Sequence, residues 1–496
     1  MTENRRKWLG LAVLALPCLL YSMDLTVLNL AVPSLAQDLR PSASELLWIV
    51  DIYGFFVAGS LVTMGTLGDR IGRRRLLLWG AGAFGAASVL AACARTPAML
   101  IAARAVLGVA AATIAPSTLS LISNMFRDPR ERTIAIGIWV GSFSAGGALG
   151  PMLGGLLLAH FWWGSVFLLA VPVMALLLVL GPRVLPEFRD SAPGAIDIRS
   201  AALSVAATLG VIYGVKRIAA TGADPLALAA VAAGALLGIA FVRRQGRLPH
   251  PLVDLALFRV RPFAVCLAIY VLGAFAAFGT FLAIAQYLQL VLGMSPLVAG
   301  LWTAPSGLAF VIGSVVAPQL VRWLAKPHVM ALGLATSALG AGVLACVGRA
   351  PELALVMPGF LAFSFGLSLT FTHAVDLVVG SAPPERAGQA SALAETGAEL
   401  GGAVGIAVLG SLITFLYRGA MADVAAPAAA KQTLAGAVAS HLPPHVLAGA
   451  RDAFAHAFGV TSTICAVALV LASGATLLLP GCSCNVARHS AEPVAA

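Results

Sequence analysis

The chain reads as an all-helical integral membrane protein with fourteen transmembrane helices. Three observations carry that expectation. Apolar residues fill 60% of the 496 positions and charged residues only 10%, with a mean hydropathy of +0.94. That balance excludes a water-soluble multidomain enzyme, because apolar runs dominate the whole length. The runs recur at the length a spanning helix needs, about 20 residues at 1.5 Å per residue. The charges, finally, are gathered into short turns between the runs. The net charge of +10 is therefore a topological signal and not a nucleic-acid footprint, since short basic loops stay in the cytoplasm.

In chain order the expected spans are 8–31, 45–66, 76–94, 98–121, 133–159, 164–185, 199–217, 225–243, 263–289, 296–320, 328–347, 352–378, 391–416 and 458–480. The first is too long for a signal-peptide core and lacks a small-residue cleavage site, so it is kept as a span. Arg5, Arg6 and Lys7, then Arg70 to Arg75, then Arg127, Arg130 and Arg132 fall on one side, which the positive-inside rule makes cytoplasmic. An even number of spans leaves both termini there. Trp48 and Trp163 suit the interfacial belts. Residues 244–262 are amphipathic and interrupted by proline, and are expected to lie along the membrane surface. Residues 417–457 are Ala-rich and broken at Pro443-Pro444, and are expected as two short helices folded back outside the membrane. Among seven cysteines no disulfide spacing appears, and Cys482 and Cys484 in the tail 481–496 are expected to be an idle pair.

The most informative turn is Gly65-Thr66-Leu67-Gly68-Asp69-Arg70-Ile71-Gly72-Arg73-Arg74-Arg75. Its glycines permit a tight reversal, and its arginines fix the side. Asp69 is the lone acid, placed to cap the next helix or to dock on a neighbouring helix N-terminus. The frame Gly65, Gly68, Asp69, Arg70, Gly72, Arg73, Arg74 resembles the signature loop of the major facilitator superfamily. A repeat is also visible: Gly146-Gly147-Ala148-Leu149-Gly150 in span 5 matches Gly401-Gly402-Ala403-Val404-Gly405 in span 13. Related halves are a common transporter plan, with the substrate at their interface. The resemblance then becomes narrower. Asp24-Leu25-Thr26-Val27-Leu28-Asn29-Leu30-Ala31-Val32-Pro33 and Gly146 to Gly155, with Gly150, Pro151 and Gly154 inside it, look like signatures of the fourteen-span drug:proton antiporter branch. The resemblance implies a major facilitator fold in a 6+2+6 arrangement: bundles 1–190 and 263–480, with two inserted helices and a linker in 191–262. It also implies a gating role for the basic loop and for the glycines of span 5. The partner loop of the second half, Val321–Pro327, lacks the glycines and the acid, so a symmetric gate is not expected.

Charge inside a bilayer is expensive and usually functional. By position, Asp24, Asp51 and Arg104 share one outer layer, roughly 9 Å deep at the helical rise, and Asp376 lies near an inner boundary. An Asp24–Arg104 pair would lower the cost of burying both. Arg104-Ala105-Val106-Leu107-Gly108 also resembles the family's fourth-span motif, whose arginine is implicated in proton coupling. Glu395 and Glu399 are one helical turn apart and project from one face. Burial and mutual repulsion favour a proton on at least one of them, which suits a site exchanging protons for cations. Trp139 and Phe143, also one turn apart, offer ring faces to a lipophilic cation, although ordinary packing explains them as well. No nucleotide loop, metal spacing or nucleophile motif is present.

The expected function is proton-coupled export of lipophilic cationic drugs, dyes and quaternary ammonium compounds from a bacterial inner membrane, by alternating access. The proton gradient is the energy source, no cofactor or metal is needed, and a monomer is the expected working unit. Export of a specific endogenous metabolite or lipid on the same fold is the alternative. A channel or a membrane sensor fits less well, because the halves suit rocking and no soluble domain is appended.

Overall fold

The computed structural model describes residues 3–41, 43–188, 197–221, 224–248, 251–347, 352–383, 386–440 and 442–477. Among them fourteen helical stretches are long and apolar enough to cross a membrane, the number expected. The first six are α1 (Glu3–Leu39), α2 (Ala43–Ile71), α3 (Arg73–Ala92), α4 (Pro97–Ala111) with α5 (Ile114–Met125), α6 (Pro129–His160), and α7 (Ser165–Leu168) with α8 (Ala170–Val184). Then come α9 (Ile198–Thr221) and α10 (Pro225–Gln245). The rest are α11 (Arg261–Gln286), extended by a π turn over Tyr287–Val291, α12 (Pro296–Leu320), α13 (Lys326–Leu344), α14 (Glu352–Gly380) and α15 (Ala387–Met421). Two short helices, α16 (Ala428–Gln432) and α17 (Leu434–Ala439), precede the last span, α18 (Pro444–Leu477).

Several starts follow directly from local sequence. Thr96, Asp128, Asp224 and Ser295 cap α4, α6, α10 and α12 by accepting backbone N–H groups two or three residues on, with proline next in the chain each time. The N–H groups of Glu131 and Arg130 hold the Asp128 carboxyl below the ordinary carboxylate range. Arg217, and then the Ala227 N–H, do the same for Asp224.

Small residues set the helix crossings. A Cβ on Gly146 of α6 would lie 2.1 Å from the Leu19 carbonyl of α1. A Cβ on Gly405 of α15 would lie 2.1 Å from the Phe275 carbonyl of α11. The two copies of the glycine repeat therefore do the same job, seating the fifth helix of each half on the first. Gly154 also faces α1, at Val27, whereas a Cβ on Gly155 meets nothing within 4 Å. Gly150 and Pro151 continue the same helix between them. The halves themselves meet where α6 crosses α12 and α2 crosses α15. At the second crossing a Cβ on Gly65 would come 2.5 Å from Ala392 Cβ.

Five expectations change or gain detail. The basic signature is mostly helix: α2 runs through Asp69 and Arg70 to Ile71, and Gly72 alone turns the chain, at φ +112°. Glycine is needed there both for that φ and because Glu187 Oε1 lies 2.5 Å from the Cβ position. Span 4 is two helices, broken at Ala112-Thr113, where the Thr113 hydroxyl donates to the Ala110 carbonyl at 2.7 Å. The stretch 244–262, expected along the membrane surface, is anchored to the bundle by hydrogen bonds at Leu252. Buried Gln245 accepts from the Leu252 N–H at 2.8 Å, and Thr66 donates to the Leu252 carbonyl at 3.0 Å. Satisfying that backbone lets Leu252 and Val253 be buried. In 417–457 the two short helices form and pack on each other, a Cβ on Gly436 of α17 lying 2.2 Å from the Ala429 carbonyl of α16, but Pro444 opens α18 and does not separate them. Finally, α15 begins at Ala387 and α1 continues to Leu39, so Glu395, Glu399 and Asp24 lie deeper along their helices than the sequence boundaries implied. Cys482 and Cys484 lie outside the described residues.

The crossing geometry has a measurable outcome. Gly146→Ala presses on backbone that has no room to give and is expected to destabilise the protein by about 1–3 kcal/mol. Gly155→Ala, facing open space, is expected to leave stability unchanged or slightly improved. Thermal unfolding midpoints of the two purified variants beside the parent check this.

Candidate functional site

The candidate site is a line of polar groups threading from α4 to α11 through otherwise apolar helices. It begins at Asp24 on α1 and Arg104 on α4. Arg104 is 1% exposed, and its Nη1 donates to Asp24 Oδ2 at 3.3 Å. Its Nη2 donates to the Val50 carbonyl at 3.4 Å, and its guanidinium lies 5.2 Å from the Tyr53 ring centroid. A cation this deep is tolerable because a carboxylate, a carbonyl and a π face all answer it. Next, the Tyr53 hydroxyl donates to the Tyr21 carbonyl at 3.5 Å.

Tyr21 is the crossing point between the halves. From α1, its hydroxyl donates to Glu399 Oε1 on α15 at 3.0 Å. One turn earlier on α15, Glu395 accepts from the Tyr270 hydroxyl of α11 at 3.3 Å. Tyr270 packs edge-on against Phe371, which meets Phe310 in turn. The two carboxyls therefore share one helix face, each with one phenol donor, and aromatic rings surround them. A carboxyl with a hydrogen-bond donor but no fixed cation can hold a proton or receive an organic cation. Among the described residues no His, Cys, Asp and Glu cluster of metal-binding geometry occurs.

The other expected residues are placed as follows. Asp51 does not join Asp24 and Arg104. It pairs instead with Lys216 of α9, Nζ to Oδ1 2.5 Å, so the single outer layer of three charges is in fact two separate pairs. Trp139 does not offer a ring face: it is 1% exposed, its indole N–H donates to Thr118 Oγ1 at 2.9 Å, and its ring meets Phe143 edge-on. Phe143 is half-buried and reaches the site only by packing on Tyr21, with centroids 5.5 Å apart. In the signature region, Asp69 takes Arg73, one turn on, as a partner. Arg73, 1% exposed, folds back so that its Nε donates to Asp69 Oδ1 at 2.8 Å. Gly68 and Gly388 make room for that guanidinium, which thus sits under the first turn of α15. Arg74 instead binds the segment after α8, donating to the Leu185 carbonyl at 3.0 Å and pairing with Glu187. Arg70 lies in the last turn of α2. Gly146 and Gly154 face α1; the helix that carries them, with Gly150, Pro151 and Gly155, holds α1, and α1 carries Tyr21 and Asp24.

Four functional candidates were not singled out from sequence. Tyr21, Tyr53 and Tyr270 were visible as phenols in the middle of spans, where a hydroxyl must find a partner. Lys216 stands at the end of the seventh span, the usual place for a residue that merely snorkels. Asp376, expected near an inner boundary, is fully buried on α14. It accepts from Arg132 Nε and Thr133 Oγ1 of α6, both at 2.9 Å, and pairs with Lys326 at the start of α13. It ties the two halves together at the same end as the Asp69–Arg73 pair.

The chain has clear relatives. A family model described as Major Facilitator Superfamily matches residues 14–406. The chain is 44% identical over 486 residues to the multidrug efflux pump LfrA of Mycolicibacterium smegmatis, covering 95% of this chain and 96% of the relative. It is 34% identical to the methyl viologen resistance protein SmvA of Salmonella typhimurium, over 96% of each. Among solved structures, the human organic anion transporter MFSD10 superimposes with a TM-score of 0.64, covering 95% of this chain and 100% of that one. At 17% identity that likeness speaks for the fold alone.

The geometry generates a coupling expectation. Asp24→Asn strands a buried guanidinium and Arg104→Gln strands a carboxylate, each expected to cost about 3–5 kcal/mol. The double variant strands neither, so it is expected to recover part of that loss. The yield of monodisperse protein and its unfolding midpoint across the four proteins measure the coupling; strict additivity would show that the pair contributes nothing as a pair.

Proposed function

The chain belongs to the Major Facilitator Superfamily and is a transporter, not an enzyme; from that premise we propose that it exports lipophilic, mostly cationic compounds in exchange for protons. The observation that carries the reading is the pair Glu395 and Glu399 at the seam between the halves, each held by a tyrosine hydroxyl. Relatives named for multidrug efflux and for resistance to methyl viologen, a quaternary dication, support the substrate class. The basic end of the bundle is assigned to the cytoplasm by its arginines.

The cycle follows from charge. An organic cation reaching the seam is attracted to the carboxylates, and the surrounding rings accept its apolar body. Protonation of the carboxyls from the other side removes that attraction and releases the cation. Of the two glutamates, Glu399 is bonded across the seam, to Tyr21, so a change of its occupant is felt by both halves. At the basic end, Arg132 and Thr133 of α6 bind Asp376 of α14, and Arg73, held by Asp69, packs against Gly388 of α15, so these contacts join the halves. Opening toward the cytoplasm requires those contacts to part. This is alternating access, with the exchange site at the centre and the latch at one end.

Two carboxylates also set the stoichiometry. Expelling a monovalent cation from an inside-negative cell costs about 2.3 kcal/mol per 100 mV. Exchange for one proton cancels that charge movement, and exchange for two turns the potential into a driving force. Export of a monovalent dye is therefore expected to be electrogenic. Glu395→Gln and Glu399→Gln are each expected to shift its pH dependence, and the double substitution to abolish coupled transport. Proteoliposomes with potential and pH gradient imposed separately test this. A parent protein indifferent to potential, or a double variant that still couples, removes the assignment.

A further inference from the structure

The helix pair α9–α10 brings to α2 a cation that the exchange cycle leaves unused. Lys216, near the end of α9, places its ammonium 2.5 Å from Asp51 Oδ1 and 5.0 Å from the Phe55 ring centroid. Trp48 meets Phe55 edge-on at 6.0 Å and stacks on Tyr213 at 6.2 Å, with planes 11° apart. A carboxylate, a ring under the charge and two more rings beside it are the parts of a cation-recognition site. Here the occupant is the chain's own lysine.

Two features make that occupant replaceable. The Lys216 and Asp51 side chains are 36% and 28% exposed, and ion pairs open to solvent are weak. The four-carbon stem also lets the ammonium swing away without moving α9. Its neighbour Arg217 is committed elsewhere, donating to Asp224 at the start of α10 at 2.7 Å. The box is continuous with the exchange site as well. Phe55, Ala58 and Ile212 pack with Tyr213 and with Leu400 and Ala403 of α15, the residues flanking Glu399 on its C-terminal side. Asp51 lies toward the end of α2 away from the basic turn, which for an exporter is the exit side.

We propose that Asp51, Phe55, Trp48 and Tyr213 form a second organic-cation site on the exit side, in which Lys216 is a tethered competitor. A departing lipophilic cation displaces the lysine, and the lysine's return expels the cation and bars re-entry. An ammonium on a butyl stem satisfies only the charge. A phosphonium or quaternary ammonium with aromatic arms satisfies the charge and the apolar walls, so it gains contacts that Lys216 lacks. The inference rests on the reading of the chain as an exporter of organic cations.

The test uses the purified full-length protein and tetraphenylphosphonium as the probe. Lys216 is one of four lysines, so its acetylation by an activated ester can be followed by mass spectrometry against Lys7, Lys326 and Lys431. Saturating tetraphenylphosphonium is expected to raise acetylation selectively at Lys216. Lys216→Gln is expected to tighten tetraphenylphosphonium binding roughly threefold or more, because the competing state is gone. Adding Asp51→Asn to that variant is expected to cancel the gain. Unchanged or reduced acetylation of Lys216, or a Lys216→Gln protein that binds no tighter than the parent, overturns the proposal. Failure of the export reading looks different: parent proteoliposomes then carry no tetraphenylphosphonium under a pH gradient, whatever Lys216 does.

Discussion

A charge buried among apolar helices must be answered by a partner, and how each one is answered organises this molecule. Asp24 has Arg104, Asp69 has Arg73, and Asp376 has Arg132 and Lys326. These acids are matched by fixed cations, so they serve as fasteners. Glu395 and Glu399 are answered only by phenols among the hydrogen bonds described. A phenol steadies a carboxylate without neutralising it, which leaves the charge open to a proton or a passing cation. The division between fastening and exchanging acids is thus one of partner chemistry, since each kind includes buried and half-buried members.

The same division explains where the two halves touch. Fixed ion pairs collect at the basic end, where α6 meets α14 and Arg73 lies under α15. The seam at Glu399 is bridged by a neutral hydroxyl. Breaking a buried ion pair is costly, whereas exchanging one hydrogen-bond partner for another is nearly balanced. The bundle therefore grips firmly at one end and lightly at its centre, which is what a rocking motion about a central site requires.

Much of this was legible in the sequence, and the limits are instructive. Span number follows from hydropathy because the bilayer fixes the length of a helix. The Asp24–Arg104 pairing followed from depth counting, since two charges at one level on adjacent helices lower each other's cost. Depth counting misplaced Asp51 because it could not see that α9, with Lys216, packs on the same face of α2. It misread Trp139 because periodicity shows which face a residue is on and not what covers that face. The helical course of Asp69 was hidden for a related reason. Charged residues read as loop until a buried counter-ion four residues on, here Arg73, makes helix affordable. The break at Ala112-Thr113 has its signal in Pro116, four residues on, which cannot donate to the Ala112 carbonyl and crowds it.

That break has a mechanical consequence. A continuous helix transmits displacement along its length like a stiff rod, but a rod jointed midway lets its two lengths turn independently. Here α4 carries Arg104 and lies along α2 and α3, while α5 leans on α15 of the other half. The Ala110 carbonyl accepts from both the N–H and the hydroxyl of Thr113, so the turn at the joint is closed by its own hydrogen bonds. Beside it, Gly80 of α3 leaves only enough clearance for the Thr113 side chain, which fixes where the bending falls. The fourth span is thereby a lever with its own fulcrum. Its far arm can stay locked to the Asp24 pair while its near arm follows the opposite half.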